Sequence, residues 1–283
     1  MKGQVYKAHT DSYSVKCDEK LYKCKARGIL KLKRNDIAVG DFVEVNNDVI
    51  CSVYERKNRF IRPSVANIDL IVAVVCPEPK PDLYLLDKLY LNAVKEGVEF
   101  CIAVNKVDIR EETFSLIKEE YGSLGVDIIS LSTKTGEGID NLKQKLENRL
   151  TVLAGQSAVG KTSIVNAMFG LDLKVGELSD KISRGRHTTT RSEIFEYGNV
   201  KLIDSPGFAV IEAFVTLDEL PECYPEYFEV SNDCKFRGCT HINEPDCKVK
   251  ELVNNGVLSR KRYERYIEIY DEISKRRNFY EKY

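Results

Sequence analysis

Two short motifs in this sequence contain the residue types that bind the phosphates and the base of a nucleotide. The first, residues 155–162, reads Gly-Gln-Ser-Ala-Val-Gly-Lys-Thr and matches the pattern GxxxxGK[ST]. Its two glycines let backbone N–H groups approach phosphate oxygens, while Lys161 neutralises the β and γ oxygens and Thr162 offers a hydroxyl to Mg²⁺. The residues expected to bind phosphate here are Gly155, Gln156, Ser157, Ala158, Val159, Gly160, Lys161, Thr162 and Ser163.

The second motif, Asn105-Lys106-Val107-Asp108, has the form that selects guanine. A carboxylate at Asp108 can accept from the ring N–H and the exocyclic amine of guanine, a donor pair that adenine lacks. The motif follows an apolar strand pattern, as the P-loop does, so both should lie at the carboxyl edge of one sheet. The pair therefore predicts that GTP binds in preference to ATP.

A polar segment at residues 132–136, Ser-Thr-Lys-Thr-Gly, resembles the loop that backs a guanine ring. Thr133 stands where alanine is usual in such loops. We predict that Ser132 and Thr133 contact the nucleotide, and the alternative is a simple polar turn that caps a helix beginning near Gly138.

Two further segments are expected to sense the γ-phosphate. In Asp204-Ser205-Pro206-Gly207, Asp204 can hold the Mg²⁺ shell through water, and the N–H of Gly207 can meet the γ-phosphate. Residues 183–190, Ser-Arg-Gly-Arg-His-Thr-Thr-Thr, fit the other switch segment, although an ordinary surface loop would look the same. The predicted Mg²⁺ ligands are Thr162, Thr189 and Asp204, with Thr190 as the second choice in the threonine run.

Phe208 occupies the position after Gly207 where many GTPases place a glutamine that orients the attacking water. Phenylalanine cannot orient water, so either His187 or a group from a partner must do so. The predicted catalytic residues are therefore His187, Thr189 and Lys161, in an enzyme whose turnover is slow until its partner binds.

The order of these motifs is permuted. A GTPase usually presents its P-loop first and its NKxD motif last, whereas here Asn105 to Asp108 precede the P-loop and Asp204 follows both. After Gly207 the chain leaves the nucleotide domain through residues 208–220, so this switch segment should act as a hinge between domains.

A third group of residues has the spacing of a metal site: Cys234-x4-Cys239-x-His241-x5-Cys247. Three thiolates and an imidazole complete a tetrahedral zinc shell and leave no open position, so the predicted Zn²⁺ is structural. The other cysteines are expected to be core or incidental thiols: Cys17, Cys24, Cys51, Cys76, Cys101 and Cys223.

The elements that must position these residues fall into three predicted domains. Residues 1–62 contain short alternating runs typical of a small β-barrel, an OB fold or an SH3-like barrel. Polar residues at 46–48 separate two of these runs and predict a β-hairpin there. Residues 63–220 alternate apolar strands with helical patterns over residues 82–96, 111–121 and 139–150, which indicates an α/β domain with a mostly parallel sheet. Residues 221–283 should form a mostly helical zinc-binding domain, with a helix over 258–279 whose residues 263, 266, 267, 270 and 273 form a packed face.

Charge is segregated along the chain, although the formal net charge of the 283 residues is only −1. Residues 1–62 contain 14 Lys/Arg and 8 Asp/Glu, and residues 255–283 contain 8 and 5. Basic ends suggest a polyanionic partner, and a solvated charged surface is the alternative. No apolar run approaches the roughly 20 residues of a membrane span, so we expect a cytoplasmic protein that contacts no membrane. We also expect the protein to act as a monomer.

Taken together, the P-loop, the permuted NKVD, the GRHTTT stretch, DSPG and the Cys/His cluster behind a basic barrel resemble the RsgA (YjeQ) family of small-ribosomal-subunit-dependent GTPases. The resemblance implies an N-terminal OB fold, a permuted GTPase domain and a C-terminal zinc domain. It also implies binding to the small ribosomal subunit and its rRNA late in subunit maturation, with His187 positioning water.

Ala158, Thr162 and Ser205 replace residues common in this family, but none of the three removes a required group. Two other functions stay open at this point: a nucleic-acid-binding module with a relic nucleotide site, and an ATP-dependent enzyme with an accidental NKVD.

Overall fold

The computed structural model describes residues 1–27, 37–173, 192–209 and 211–280. Within these ranges no helix combines the length and the apolar character needed to cross a membrane. The strands and helices form an N-terminal barrel, a central sheet covered by helices on both faces, and a helical C-terminal region around the Cys/His cluster.

The barrel contains β1 Lys2–Ala8, β2 Tyr13–Cys17, β3 Lys20–Ala26, β4 Phe42–Asn46 and β5 Val49–Val53. Strand β1 pairs with both β2 and β4, and β3 pairs with β2 and runs parallel to β5, so the ring closes in the order β1-β2-β3-β5-β4. This five-stranded closed order is that of an OB-type barrel.

A two-residue turn joins β4 to β5. Asn47 and Asp48 adopt positive φ angles of 47° and 57°. Asparagine and aspartate tolerate this left-handed region better than other non-glycine residues, and the resulting turn matches the twist of a hairpin. The hairpin predicted from this polar pair is confirmed.

The central sheet contains β8 Leu70–Val75, β9 Glu99–Val104, β10 Asp127–Ser130, β11 Leu150–Ala154, β12 Glu193–Tyr197 and β13 Val200–Asp204. Their order across the sheet is β10-β9-β8-β11-β13-β12, parallel except for β12. A short hairpin, β6 Arg59–Phe60 and β7 Val65–Ala66, lies between barrel and sheet in the chain. Every residue of β8 is buried, as expected for a central parallel strand.

Helices α1 Leu83–Glu96, α2 Glu112–Tyr121, α3 Ile139–Leu146 and α4 Lys161–Phe169 cover this sheet. The Asp82 side chain accepts from Leu85 N at the start of α1, and Gly97 ends that helix with φ 64°. The helical pattern predicted over residues 139–150 was too long. Helix α3 ends at Leu146 because Asn148 turns at φ 58° and Leu150 already belongs to β11.

The C-terminal region contains α5 Pro225–Phe228, α6 Lys248–Asn254 and α7 Arg260–Tyr280. The packed face predicted on the last helix is confirmed, since Tyr263, Tyr266 and Ile273 are buried against α6 and the Cys/His loop. Ile267 and Tyr270 pack at the edge of the same cluster.

Candidate nucleotide site and metal cluster

The P-loop connects β11 to α4 at the carboxyl edge of the sheet. Strand β11 returns between β8 and β13 after the chain has built β8, β9 and β10 outward, which places the P-loop where ligands of open α/β sheets bind. Gly155 has φ 129°, and a Cβ there would lie 2.3 Å from Val74 O. Only glycine therefore lets the loop pass this close to β8.

The guanine motif lies directly against the P-loop. Asn105 is fully buried, and its Nδ2 donates to Val159 O at 2.9 Å. Lys106 Nζ donates to Ala158 O at 3.0 Å and to Glu78 O at 2.7 Å. The structure thus brings the segments near residues 105 and 160 into one cleft, although 54 positions separate Asn105 from Val159.

Backbone conformation explains two details of the loop. Ala158 has φ 64°, in the left-handed region, so glycine would suit this position better. Gly160 has φ 98°, and a Cβ there would lie 2.3 Å from Asn105 Nδ2. A side chain at position 160 would therefore break the contact between the two motifs.

Asp108 is held by the segment that follows β10. Ser132 Oγ donates to Asp108 Oδ1 at 2.6 Å and accepts from the N–H groups of Lys134 and Thr135 at 3.3 and 3.2 Å. The N-cap of α3 is Gly138, which makes no side-chain capping bond. Ser132 therefore orients the carboxylate rather than capping the helix.

The phosphate end of the cleft is a cavity of about 230 Å³ lined by Gly155, Ser157, Lys161, Thr162, Asp204 and Ser205 among others. Lys161 Nζ donates to Gly155 O at 2.8 Å and Gln156 O at 2.7 Å. Burial lowers the pKa of Lys161, and the nearby Asp204 opposes that shift. Both residues are partly buried at this cavity, where charge interactions are stronger than in bulk water.

Asp204 ends β13 in the same cavity. Burial raises the pKa of its carboxyl to about 7, against the attraction of Lys161. Its Oδ2 is buried and has no hydrogen-bond partner among the described residues. A buried carboxylate oxygen without a donor, beside the Thr162 hydroxyl, is the oxygen-rich environment that Mg²⁺ prefers.

The second switch segment continues as a 3₁₀ turn, Pro206–Ala209. Phe208 is fully buried, and its ring meets Phe60 edge-on with centroids 5.6 Å apart. Gly207 packs against Pro63, because a Cβ on Gly207 would lie 3.0 Å from Pro63 Cδ. The sequence predicted only that Phe208 cannot orient the attacking water. It did not predict the contacts of Phe208 with Phe60 and of Gly207 with Pro63. The other switch segment, with His187, Thr188, Thr189 and Thr190, lies outside the described residues.

The four metal-site residues converge in the C-terminal region. Their ligand atoms all lie within 4.8 Å of one another. His241 Nδ1 is 3.4 Å from Cys247 Sγ and 3.8 Å from Cys234 Sγ, and the two sulfurs are 4.0 Å apart. A tetrahedral zinc shell with Zn–S of about 2.3 Å needs sulfurs roughly 3.8 Å apart. Cys234, Cys239, His241 and Cys247 can therefore hold a metal ion.

The remaining cysteines do not join this cluster. Five are buried and Cys51 is half-buried, and all are free thiols. The interpretation of these six as core or incidental residues agrees with their placement.

Fold and cleft together define a P-loop GTPase whose base-selecting motif precedes its phosphate-binding loop. The family model described as "RsgA GTPase" matches residues 53–214, and the model described as "RsgA N-terminal domain" matches residues 2–49.

Curated relatives match along nearly the whole chain. A "Small ribosomal subunit biogenesis GTPase RsgA" of Clostridium perfringens (strain SM101 / Type A) is 36% identical over 98% of this chain and 99% of its own. A protein of the same description from Geobacillus sp. (strain WCH70) is 37% identical with the same coverage of both chains.

Two solved structures share the whole architecture. YjeQ from Thermotoga maritima superposes with a TM-score of 0.79 at 33% identity, covering 96% of this chain and 98% of that one. YloQ, described as a circularly permuted GTPase, gives 0.74 at 30% identity, covering 97% and 95%. The chain belongs to the RsgA family of GTPases.

Proposed function

We propose that this GTPase acts late in the maturation of the small ribosomal subunit and that binding to the subunit stimulates its hydrolysis of GTP to GDP and phosphate. The relatives carry the description of small-subunit biogenesis GTPases. The observation that most directly supports the GTP site is the bond from Asn105 Nδ2 to Val159 O, because it joins base selection to phosphate binding in one cleft.

Each motif has a distinct role in this proposal. Asp108, held by Ser132, accepts the two donors of guanine, and Asn105 and Lys106 keep the base pocket in register with the P-loop. Lys161 leaves its two carbonyl partners and neutralises the β and γ oxygens of bound GTP. The full proposed GTP-binding set is Asn105, Lys106, Val107, Asp108, Ser132, Thr133, Gly155, Gln156, Ser157, Ala158, Val159, Gly160, Lys161, Thr162, Ser163, Asp204 and Gly207.

Two metals complete the proposal. Mg²⁺, when bound with GTP, offsets negative charge on the phosphates, and Thr162, Thr189 and Asp204 would hold it. Zn²⁺ at Cys234, Cys239, His241 and Cys247 would be structural, because all four ligands come from the protein.

Water activation is the step that the partner is proposed to assist. Phe208 is buried on Phe60, so it cannot turn toward a nucleophilic water without leaving the core. His187, or a group of the ribosomal partner, would orient the water instead, with Thr189 and Lys161 acting on the phosphate. Slow turnover in the absence of the subunit follows from this arrangement.

The barrel is the proposed contact for rRNA. Strand β3 presents Lys23 and Lys25 outward while Cys24 and Ala26 face the core, and Arg27 is exposed just beyond its end. Strands 2 and 3 of an OB fold form the face that binds oligonucleotides. Residues 1–62, 63–220 and 221–283 are the proposed domains, and we propose that the chain works as a monomer in the cytoplasm.

We propose that loss of the γ-phosphate shifts Gly207 and that the segment after Gly207 transmits this shift to the C-terminal region. Phe214 N donates to Asn92 Oδ1 at 2.9 Å, and Arg276 Nη2 donates to Ala213 O at 2.6 Å. This segment thus lies between α1 and α7, so a shift at Gly207 would alter the position of the zinc domain on rRNA. Equal ribosome affinity of the GTP-analogue and GDP forms would contradict this relay.

The central test compares GTP hydrolysis by the purified protein with and without purified small ribosomal subunits. Lys161→Ala should abolish both rates, since nothing else in the described cavity supplies a cation, and Lys118→Ala on the exposed face of α2 is the matched control. A rate that is equal with and without subunits would overturn the proposed stimulation.

Base selection has its own test. Asp108→Asn should weaken GTP binding and favour xanthosine triphosphate, because an amide N–H can donate to the 2-carbonyl that replaces the guanine amine. Competition between GTP, ATP and XTP measures this change. Equal competition by ATP in the unmodified protein would instead favour an ATP-dependent enzyme.

A further inference from the structure

The hairpin β6–β7 joins the barrel to the central sheet and is hydrogen-bonded to the barrel. Ala66 N donates to Val39 O at 2.8 Å, and Val65 forms a parallel bridge with Val39. Asn67 Nδ2 donates to Gly40 O at 3.1 Å, and a Cβ on Gly40 would lie only 2.0 Å from Ala66 O. The hairpin and this edge of the barrel therefore move as one unit.

The opposite side of the same hairpin touches the second switch segment. The ring of Pro63 lies against Gly207, whose hypothetical Cβ would approach three ring carbons at 3.0 to 3.2 Å. Phe60 is 2% exposed and packs edge-on against the fully buried Phe208. Because both contacts are close and buried interiors are tightly packed, we expect a displacement of the hairpin to displace Gly207 and Phe208 as well.

We propose that Phe60 and Pro63 are positioning residues for GTP hydrolysis. When the barrel docks on RNA, these two residues set the position of the Gly207 N–H beside the γ-phosphate. This proposal rests on the proposed function, because it needs a subunit-stimulated rate. Neither residue touches nucleotide, and both act through Gly207 and Phe208. A misplacement of about 1 Å at a reacting phosphate is enough to change a rate by orders of magnitude.

Two phenylalanines make a matched pair for the test. Phe60 meets Phe208 at 5.6 Å, and Phe100 meets Tyr90 at 5.5 Å, both edge-on and both in the same hydrophobic cluster. Phe100 lies near the start of β9, away from the cleft end of that strand. Phe60→Leu and Phe100→Leu should therefore lower the melting temperature by similar amounts, while only the first loosens the switch segment.

The experiment uses the full-length protein and measures kcat and KM for GTP alone and with saturating small ribosomal subunits. We expect Phe60→Leu to reduce the ratio of the subunit-stimulated kcat to the unstimulated kcat by about tenfold. Phe100→Leu should keep full stimulation. Pro63→Ala, which removes two of the ring carbons packed on Gly207, is the second variant should Phe60→Leu fail to fold.

The outcomes separate this inference from the proposed function. Full stimulation of folded Phe60→Leu or Pro63→Ala overturns the inference alone, and so does an equal loss in Phe100→Leu, since that loss would come from a loosened core. An unmodified protein that hydrolyses GTP without any response to subunits overturns both. Loss of stimulation only in the hairpin variants supports the inference.

Discussion

The central domain has two interfaces, and they are built from different chemistry. Toward the C-terminal region, Asp87 of α1 is completely buried and pairs with Arg262 and Arg265 of α7. Toward the barrel, Tyr6, Lys7 and Lys16 pair with Glu193 and Glu196 of β12, and all four charged side chains keep roughly a fifth to a quarter of their surface exposed.

Further polar and aromatic contacts surround the ion pairs of Asp87 at the C-terminal interface. Tyr121 Oη donates to Asp87 at 2.6 Å, Arg265 also reaches Glu120, and the guanidinium of Arg262 lies over the ring of Tyr224 at 4.8 Å. Breaking one partner of such a buried set leaves an uncompensated charge, which is far more damaging than breaking a solvated pair. The difference indicates that buried charge pairs hold the C-terminal region to the sheet, whereas partly exposed charge pairs hold β1 and β2 of the barrel to β12.

Removal of the metal ion proposed at Cys234, Cys239, His241 and Cys247 should have the largest effect. A structural metal supplies much of the folding free energy of a small Cys/His region. Chelation should therefore reduce the protection of α6 and α7 from hydrogen exchange. Because Asp87 would lose Arg262 and Arg265, protection should then fall in α1. The barrel should stay protected, and a simultaneous loss of protection there would contradict this difference between the two interfaces.

Neutralising one carboxylate at each interface compares them directly. Asp87→Asn should cost about 3–5 kcal/mol of unfolding free energy, because two arginines keep their burial and lose their counter-charge. Glu196→Gln should cost about 1 kcal/mol or less, since its partners stay partly solvated. Urea unfolding measures both, and similar losses would remove the distinction.

The barrel interface should also weaken in acid. Burial raises the pKa of Glu196, but Lys16, Tyr6 and Lys201 outweigh burial and hold that pKa below its ordinary value of 4.5. A lowered folded pKa gives stabilisation that is present above pH 4.5 and is lost as the pH falls through the folded value. Hydrogen exchange of β1 and β12, compared between the unmodified protein and Glu196→Gln at each pH, should therefore differ at pH 7 and converge in acid.

Glu19→Gln is the control for that experiment, because Glu19 is almost fully exposed and is a distant second partner of Lys16 at 3.6 Å. It should behave as the unmodified protein does at every pH. A persistent difference between Glu196→Gln and the unmodified protein in strong acid would mean that packing, and not charge, holds the barrel.

Added salt should have the smallest effect on hydrogen exchange, and it should again weaken the barrel interface more than the C-terminal interface. At about 1 M salt the screening length is near 3 Å, which weakens partly exposed ion pairs more than buried ion pairs. Exchange in β1 should rise modestly with salt, while exchange in α1 and α7 should not respond. A stronger response in α1 would reverse the comparison.

Much of the nucleotide cleft could be predicted because its residues follow strand ends. Asn105 and Gly155 each come directly after an apolar strand, and parallel strands present their carboxyl ends at one edge. The end of α3 could not be placed from residues 139–150, since the helical spacing of the apolar residues continues into β11. Only the tertiary context separates the two.

The interfaces could not be predicted, because they join residues far apart in the chain. The basic residues near the C-terminus suggested a polyanion-binding end. However, Arg262 and Arg265 form ion pairs with Asp87, and Arg276 pairs with Glu212. Burial of a charge depends on a partner 175 positions away, which no local pattern records. The exposed basic residues that the structure describes on β3 are the better support for an RNA contact.

The insertion of β11 between β8 and β13 has a consequence for synthesis on the ribosome. Strand β8 emerges about 75 residues before β11 and must expose one of its edges until then. Its sequence, Leu-Ile-Val-Ala-Val-Val, is uninterrupted and apolar, the kind that pairs with other chains when left open. A nascent chain stalled before residue 150 would therefore be prone to aggregate, and would need either rapid elongation or a chaperone to stay productive.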